Sequence, residues 1–403
     1  MRSGAALRRP RALPPRRALA PRWGHDLRVP AILLLGFLGI LWAAGVLPQH
    51  GGRHATSSTS PVGAHPSIVT LPLGPGSVAT TSTNIITLRV PPLVDIVLVQ
   101  DETGSFRTAI DTLKTLVSSK IVPALNGTGA SYRTGVVGFR DYGHSPWGDS
   151  GDWVYRELAP LEPSGTGFAN GVPALSAAGG NDTPEAQLEA LAYLADPVHS
   201  AIDSNGDGEI ASGNGDTPAG EQPRWRVGAR RVVLLATDAA CHTVGDGTGW
   251  PGDSAITSIT EVARQLVASR ITVIGIAPPG ADLTCVTALA TATGGTVQRT
   301  NESASDIAQA ILAGLQALPV TVTPVAHCSA GVRVRFDPPQ RAVRSGGTVR
   351  FHETFARASD APPGPASCGI SYLVNGKVSK GFQQRVTLAV PRREAVRHAA
   401  KGG

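Results

Sequence analysis

Between residues 92 and 319, short, mostly apolar runs alternate with longer stretches whose apolar residues recur at helical spacing. Val94–Gln100, Arg133–Phe139, Arg231–Thr237 and Ile271–Ile276 have the length of strands and are rich in Val, Ile and Leu. Phe106–Leu125 repeats apolar residues at Ile110, Leu113, Leu116 and Val117, and Ile256–Ala268 at Ile259, Val262, Ala263 and Leu266. A strand that is apolar throughout must be buried on both faces, and strands that alternate with helices pair in parallel. The pattern predicts an α/β fold with a doubly wound, mostly parallel sheet. Trp153–Leu161 and Thr296–Arg299 are its further strands. Pro184–Leu194, Leu283–Thr293 and Ile307–Leu318 are its further helices. Ligands of such sheets bind beyond the carboxyl ends of the strands.

Chemistry-bearing residues collect at those ends. Asp101-Glu102-Thr103-Gly104-Ser105 follows the first strand directly. A carboxylate and two hydroxyls on one short loop suit a hard divalent cation. They supply one negative charge, so the ion keeps enough positive charge to accept a carboxylate from a partner. Three other segments fall at comparable positions: Gly138-Phe139-Arg140-Asp141, Gly179-Gly180-Asn181-Asp182-Thr183-Pro184-Glu185, and Ala236-Thr237-Asp238-Ala239 with Gly245-Asp246-Gly247 soon after. Taken singly, Asp101, Ser105 and the Asp182-Thr183-Pro184-Glu185 run are also ordinary helix starts. Their joint recurrence at strand ends is what favours metal.

In this order the four segments resemble the von Willebrand factor A domain and, within that superfamily, the I-like domain of integrin β subunits. The resemblance covers about residues 92–319. It implies a magnesium ion held by Asp101, Thr103, Ser105, Glu185 and Asp238, with Thr183 as the fallback for Glu185. It also implies a flanking calcium site at Asp141, Asp182 and the Pro184 carbonyl, although the expected Asn is displaced by one position, to Asn181. A third, regulatory ion would need adjacent acids on the first helix, where this chain has Thr108 and Ala109.

An insertion near 196–224 interrupts the alternation. Within it, Asp203-Ser204-Asn205-Gly206-Asp207-Gly208-Glu209-Ile210 matches the first eight positions of an EF-hand-type calcium loop. Asp203, Asn205 and Asp207 would be side-chain ligands and Glu209 would give its carbonyl. Asn214 stands where the loop normally closes with a bidentate Glu, and Ile210 would anchor to the core. The bland alternative is an Asp/Gly-rich linker.

The ends of the chain set its address. Residues 1–30 carry eight arginines against one acid, Asp26, so the net charge of +6 is a tail and not a nucleic-acid face. Residues 31–47 are an unbroken apolar run, at the short end of a membrane span. The positive-inside rule keeps the tail in the cytoplasm and puts the rest outside. The competing expectation is a cleaved signal segment and secretion. Residues 48–91, rich in Ser, Thr, Gly and Pro, are expected to be a linker or stalk, with a strand near Ile85–Val90. From residue 320 to 391 short alternating segments replace helical ones, as in a small β-sandwich. Asn375-Gly376 there suits a type I′ hairpin turn. Residues 392–403 are a tail.

All four cysteines follow the apolar segment, and none has metal-ligand spacing. Three pairings are open. Cys241–Cys285 and Cys328–Cys368 keep each bridge within one expected domain, and the first joins neighbouring strand ends.

No Gly-x-Ser-x-Gly, His-Glu-x-x-His or P-loop occurs. The expectation is therefore no enzyme. It is an exported, membrane-anchored protein that binds an acidic group of a protein or glycan partner through its ion. The alternatives are a cell-envelope scaffold with a structural ion and, last, a metal-dependent hydrolase subunit.

Overall fold

The computed structural model describes residues 62–390 except 197, 199, 212–213, 245–257 and 302–303. The basic tail, the apolar run 31–47, the C-terminal tail and Gly245-Asp246-Gly247 lie outside the described residues. Among those described, no helix is long and apolar enough to cross a membrane.

In chain order the elements begin β1 (Gly63–His65), β2 (Ile68–Pro72), β3 (Val78–Ile86), β4 (Leu93–Asp101), α1 (Arg107–Leu116), α2 (Val122–Asn126), β5 (Ser131–Phe139) and β6 (Arg156–Pro163). They continue α3 (Thr166–Gly171), α4 (Gln187–Ala195), β7 (Arg230–Ala236), α5 (Ile259–Ala268), β8 (Ile271–Ala277), α6 (Thr284–Thr293), β9 (Val297–Arg299) and α7 (Ala304–Ala317). The last are β10 (Pro319–Cys328), β11 (Val332–Asp337), β12 (Arg341–Arg344), β13 (Thr348–Arg357), β14 (Ala366–Val374) and β15 (Gln383–Ala389).

One six-stranded sheet has the order β6-β5-β4-β7-β8-β9. β5, β4, β7, β8 and β9 pair in parallel, and β6 is an antiparallel edge. The apolar runs feed both faces, because side chains alternate across a strand. Val94, Ile96 and Leu98 pack with Ile110 and Leu113 of α1 and Ile311 and Leu315 of α7. Val97 and Val99 pack on the other side with Leu188, Val262, Leu266, Val286 and Leu289, from α4, α5 and α6. Each fully buried aliphatic side chain contributes ~1.5–3 kcal/mol. β4 is the middle of this arrangement, so the loop after Asp101 has a rigid base.

The stretch expected as a linker is corrected by the structure. Residues 63–86 supply three strands to a β-sandwich whose sheets run β1-β3-β13-β11 and β12-β10-β14-β15-β2. β3 pairs with β13 from Thr348↔Ile86 to Ala356↔Val78, and β2 lies parallel to β15. Ala64, Leu73 and Ile85 sit in one core with Val322, Phe351, Tyr372 and Leu388. The physical reason is that β3 needs few apolar residues: Ile85 and Ala79 pack on the core, the buried Thr83 meets Gln384, and the other Thr and Ser are partly or fully exposed. The α/β unit is thus inserted between β3 and β10 of the sandwich. The turn before β13 holds both connections. Thr87 N donates to Gly347 O at 3.0 Å, Gly346 N to Leu88 O at 2.5 Å, and Ser345 N to Leu318 O at 3.1 Å.

Both expected disulfides form, Cys241–Cys285 and Cys328–Cys368. The second joins directly opposed residues of β10 and β14. Asn375 and Gly376 take φ of 51° and 76°, as a type I′ turn requires.

Candidate metal centre

The ends of β4 and β7 lie side by side, and the loops after them meet the segment that leads into α4. Asp101, fully buried, forms the floor. Its Oδ1 accepts from Thr103 N at 2.9 Å and Thr103 Oγ1 at 2.7 Å, and its Oδ2 accepts from Thr237 Oγ1 at 2.9 Å. Thr103 Oγ1 lies 3.3 Å from Ser105 Oγ, which donates to Asp238 Oδ1 at 3.3 Å. These contacts form one chain of oxygens from the floor to the rim. Above it opens a cleft of about 310 Å³ lined by Thr103, Ser105, Gly180, Asp182, Glu185 and Asp238. The residues expected to hold the principal ion are therefore together, with Asp101 behind the two hydroxyls and Glu185 opposite them.

The Gly179-Gly180 pair makes this approach possible. Both have positive φ, and a Cβ on Gly180 would lie 2.9 Å from Thr103 Cβ. Asp152 fixes the pair by accepting from Gly180 N at 2.9 Å while meeting Arg140 at 3.3 Å. Glu102 braces the same loop: its Oε1 accepts from Ser176 N at 2.5 Å and its carbonyl from Ala178 N at 2.9 Å. Neither role is visible in a motif, because both partners are distant in sequence.

The charges are poorly compensated. Burial, then the charges of Asp101, Asp141, Asp182 and Asp238, push the Glu185 carboxyl up to about 10. Burial raises Asp101 to about 7, and Asp238 is also raised by burial. Glu185 Oε2 is buried and accepts no hydrogen bond. A carboxylate atom in that state costs several kcal/mol or takes up a proton or a cation. Hard oxygen donors around an orphaned carboxylate fit magnesium. When bound, the ion would supply positive charge and an open coordination position.

The flanking site assembles differently from the expectation. Asp141 and Asp182 converge with His242, one ligand atom of each lying within 4.8 Å of the others. Burial pushes Asp141 up to about 7, against the lowering effect of His242. The sequence signal for His242 was a lone histidine close after Asp238, which on its own reads as a polar loop residue. Three-dimensional pairing brings it in: Glu185 N donates to Ala240 O and His242 N to Glu185 O, both at 2.9 Å. The Thr183–Pro184 peptide is cis.

The insertion folds back on itself. Asp203 accepts from Gly206 N at 2.7 Å and Gly208 N at 2.8 Å, Asn205 from Asp207 N at 2.9 Å, and Asp207 from Glu209 N at 2.8 Å. The carboxylate that converges with Asp203 and Asp207 is that of Asp216. Asn214 Oδ1 accepts from Asp216 N at 3.2 Å. Ile210 does not anchor to the core, being 49% exposed. Ile202, bridged to Thr217, packs there in its place.

No family model and no curated protein matches the chain. Among solved structures, "von Willebrand factor type A from Catenulispora acidiphila" is similar at 11% identity and a TM-score of 0.37, over 80% of this chain and 72% of that one. Proximal thread matrix protein 1 from the mussel byssus is similar at 17% identity and a TM-score of 0.32, over 60% of this chain and 50% of that one. Likenesses this distant do not assign a family. The mixed α/β architecture stands on the pairing and packing given above.

Proposed function

We propose that residues 92–319 form a von Willebrand A-type domain with a doubly wound sheet and integrin β-like site loops, and that it binds an acidic group of a protein or glycan partner. Thr103, Ser105, Glu185 and Asp238, backed by Asp101, would hold a magnesium ion. The partner's carboxylate would complete its coordination. The observation that carries this reading is Glu185 Oε2, buried without a hydrogen-bond partner at the edge of an open cleft whose other walls are hydroxyls and carboxylates. The cleft is too acidic to receive an anion unless a cation comes first. The hydroxyl–carboxylate contacts of the cleft, Thr103 to Asp101 and Ser105 to Asp238, are those of ion ligands held in place, so binding without chemistry is the function favoured. The apolar run 31–47 would anchor the chain, with the binding face outside the membrane. The sandwich would carry the A-type domain as an insertion, tethered at both ends.

The test is capture of surface proteins and glycans by the purified full-length protein, in magnesium and in chelator. Partners retained in magnesium, released by chelator and absent with Asp238→Ala support the reading. Capture that is indifferent to both would refute it.

A further inference from the structure

The expected flanking calcium site is where motif and geometry disagree. Calcium takes six to eight oxygen ligands at about 2.3–2.6 Å. Here an imidazole stands among the carboxylates. His242 Nε2 lies 3.3 Å from Asp141 Oδ1 and 3.9 Å from Asp182 Oδ1. His242 is 2% exposed and Asp141 fully buried. Asp141 Oδ1 accepts from Tyr142 N at 2.8 Å, whereas Asp141 Oδ2 and Asp182 Oδ1, the latter facing His242, are buried and accept no hydrogen bond.

We propose that Asp141, Asp182 and His242 form a site for a borderline transition-metal dication, zinc foremost, separate from the magnesium centre. Imidazole nitrogen suits zinc and its neighbours, whereas calcium prefers oxygen throughout. The spacing agrees. Zinc bonds of about 2.0–2.1 Å at tetrahedral angles put neighbouring ligand atoms roughly 3.3–3.4 Å apart. One observed separation already has that value, and the other needs only a small turn of Asp182. Two carboxylates and a neutral imidazole balance a dication. Three protein ligands leave one position for water, the composition of an open zinc site. Asp182, with 32% of its side chain exposed, leaves an entry path.

The imidazole is held from several sides. His242 N donates to Glu185 O at 2.9 Å. The preceding residue, Cys241, is bridged to Cys285 on α6. The Tyr142 ring packs against the imidazole with centroids 5.5 Å apart. Such constraint lowers the ordering cost of binding. The competing state is a metal-free ion pair between His242 and Asp141.

The experiment strips the full-length protein with chelator and titrates it with zinc, and with cobalt as a coloured stand-in, in excess magnesium. Expected are one zinc per chain that excess calcium does not displace, and a cobalt spectrum that shows nitrogen ligation. His242→Gln should weaken zinc by more than about 100-fold, beyond what a change in an outer-shell partner costs. Asp182→Asn, on the exposed loop, should do the same if His242→Gln disturbs folding. Asp238→Ala should remove magnesium and spare zinc. Unchanged zinc affinity in His242→Gln and Asp182→Asn, or ready displacement by calcium, overturns the proposal and leaves an ion pair only. Zinc lost with Asp238→Ala alone assigns it to the principal centre and overturns the proposal too. Zinc bound through His242 in a protein without magnesium-dependent capture would instead remove the adhesion reading and leave this one.

Discussion

The Thr237 hydroxyl donates to Asp101 Oδ2 at 2.9 Å, joining the carboxyl ends of two adjacent parallel strands beneath the cleft. Among the described residues it is the one donor from β7's end that reaches the floor carboxylate. Thr237→Val keeps the shape and removes the donor. It should cost about 1–3 kcal/mol, the desolvation penalty of a buried acceptor left unpaired. It should also weaken magnesium, because Asp101 loses its fixed orientation. Urea unfolding and calorimetric titration check both. A variant as stable as the parent, with unchanged magnesium affinity, would show that the bond positions nothing.

Removing the principal ligands directly should separate binding from folding. Asp101→Ala and Asp238→Ala are expected to abolish magnesium binding and magnesium-dependent capture with the sheet intact, since both residues lie past the strands' apolar stretch. Calorimetry with magnesium, alongside circular dichroism, is the measurement. Undiminished affinity in both variants would place the ion elsewhere.

The raised carboxyls fix the sign of the pH response. Asp101 moves from 3.8 up to about 7, and Glu185 from 4.5 up to about 10. A folded state that holds protons more tightly than the unfolded one is favoured below the ordinary values and loses that advantage as pH rises through the raised ones. In chelator the protein should therefore melt at a lower temperature at about pH 8 than at about pH 5. Magnesium needs the ionised carboxylates, so its affinity should rise with pH and its binding should release protons. Thermal unfolding and titration in two buffers of different ionisation enthalpy test this. A magnesium affinity flat across that window contradicts it.

The sandwich was only half legible in the sequence. β10, β11, β13, β14 and β15 show alternation and turn residues, and the structure has strands there. β1, β2 and most of β3 were hidden for a physical reason. β3 reads Val78-Ala-Thr-Thr-Ser-Thr-Asn-Ile-Ile86, and its partner β13 lies across the whole α/β insertion. Local composition carries no record of a partner that distant. The α/β unit was legible because its strands are buried on both faces and so must be continuously apolar. The site loops were legible as residue types at strand ends. Asp152, Glu102 and His242 were not, because a brace or a ligand set by tertiary pairing leaves no spacing to read.

That difference yields a truncation test. Deleting residues 62–86 removes β1, β2 and β3, uncovering Phe351, Phe355 and Val386, which are now fully buried. The truncated chain should aggregate or lose cooperative unfolding of the sandwich. A true linker would leave it unaffected, and normal melting of the truncated protein would restore that expectation.

In the insertion, Asp216 adds a carboxylate to the loop that Asp203 and Asp207 begin. Asp203, Asp207 and Asp216 bring three carboxylates together, against the two of the sequence pattern. Charge count and rigidity set calcium affinity in such loops, and calcium tolerates their irregular geometry better than magnesium. One calcium per chain is expected here, independent of the Asp101 centre. Asp216→Asn should weaken it by about tenfold or more, as should Asp203→Ala with Asp207→Ala. Asn214→Ala, which only uncaps the Asp216 backbone N–H, should weaken it far less. Native mass spectrometry in calcium counts the ions. Equal stoichiometry in the parent, Asp216→Asn and the double variant would make the loop a linker tied by its own backbone hydrogen bonds.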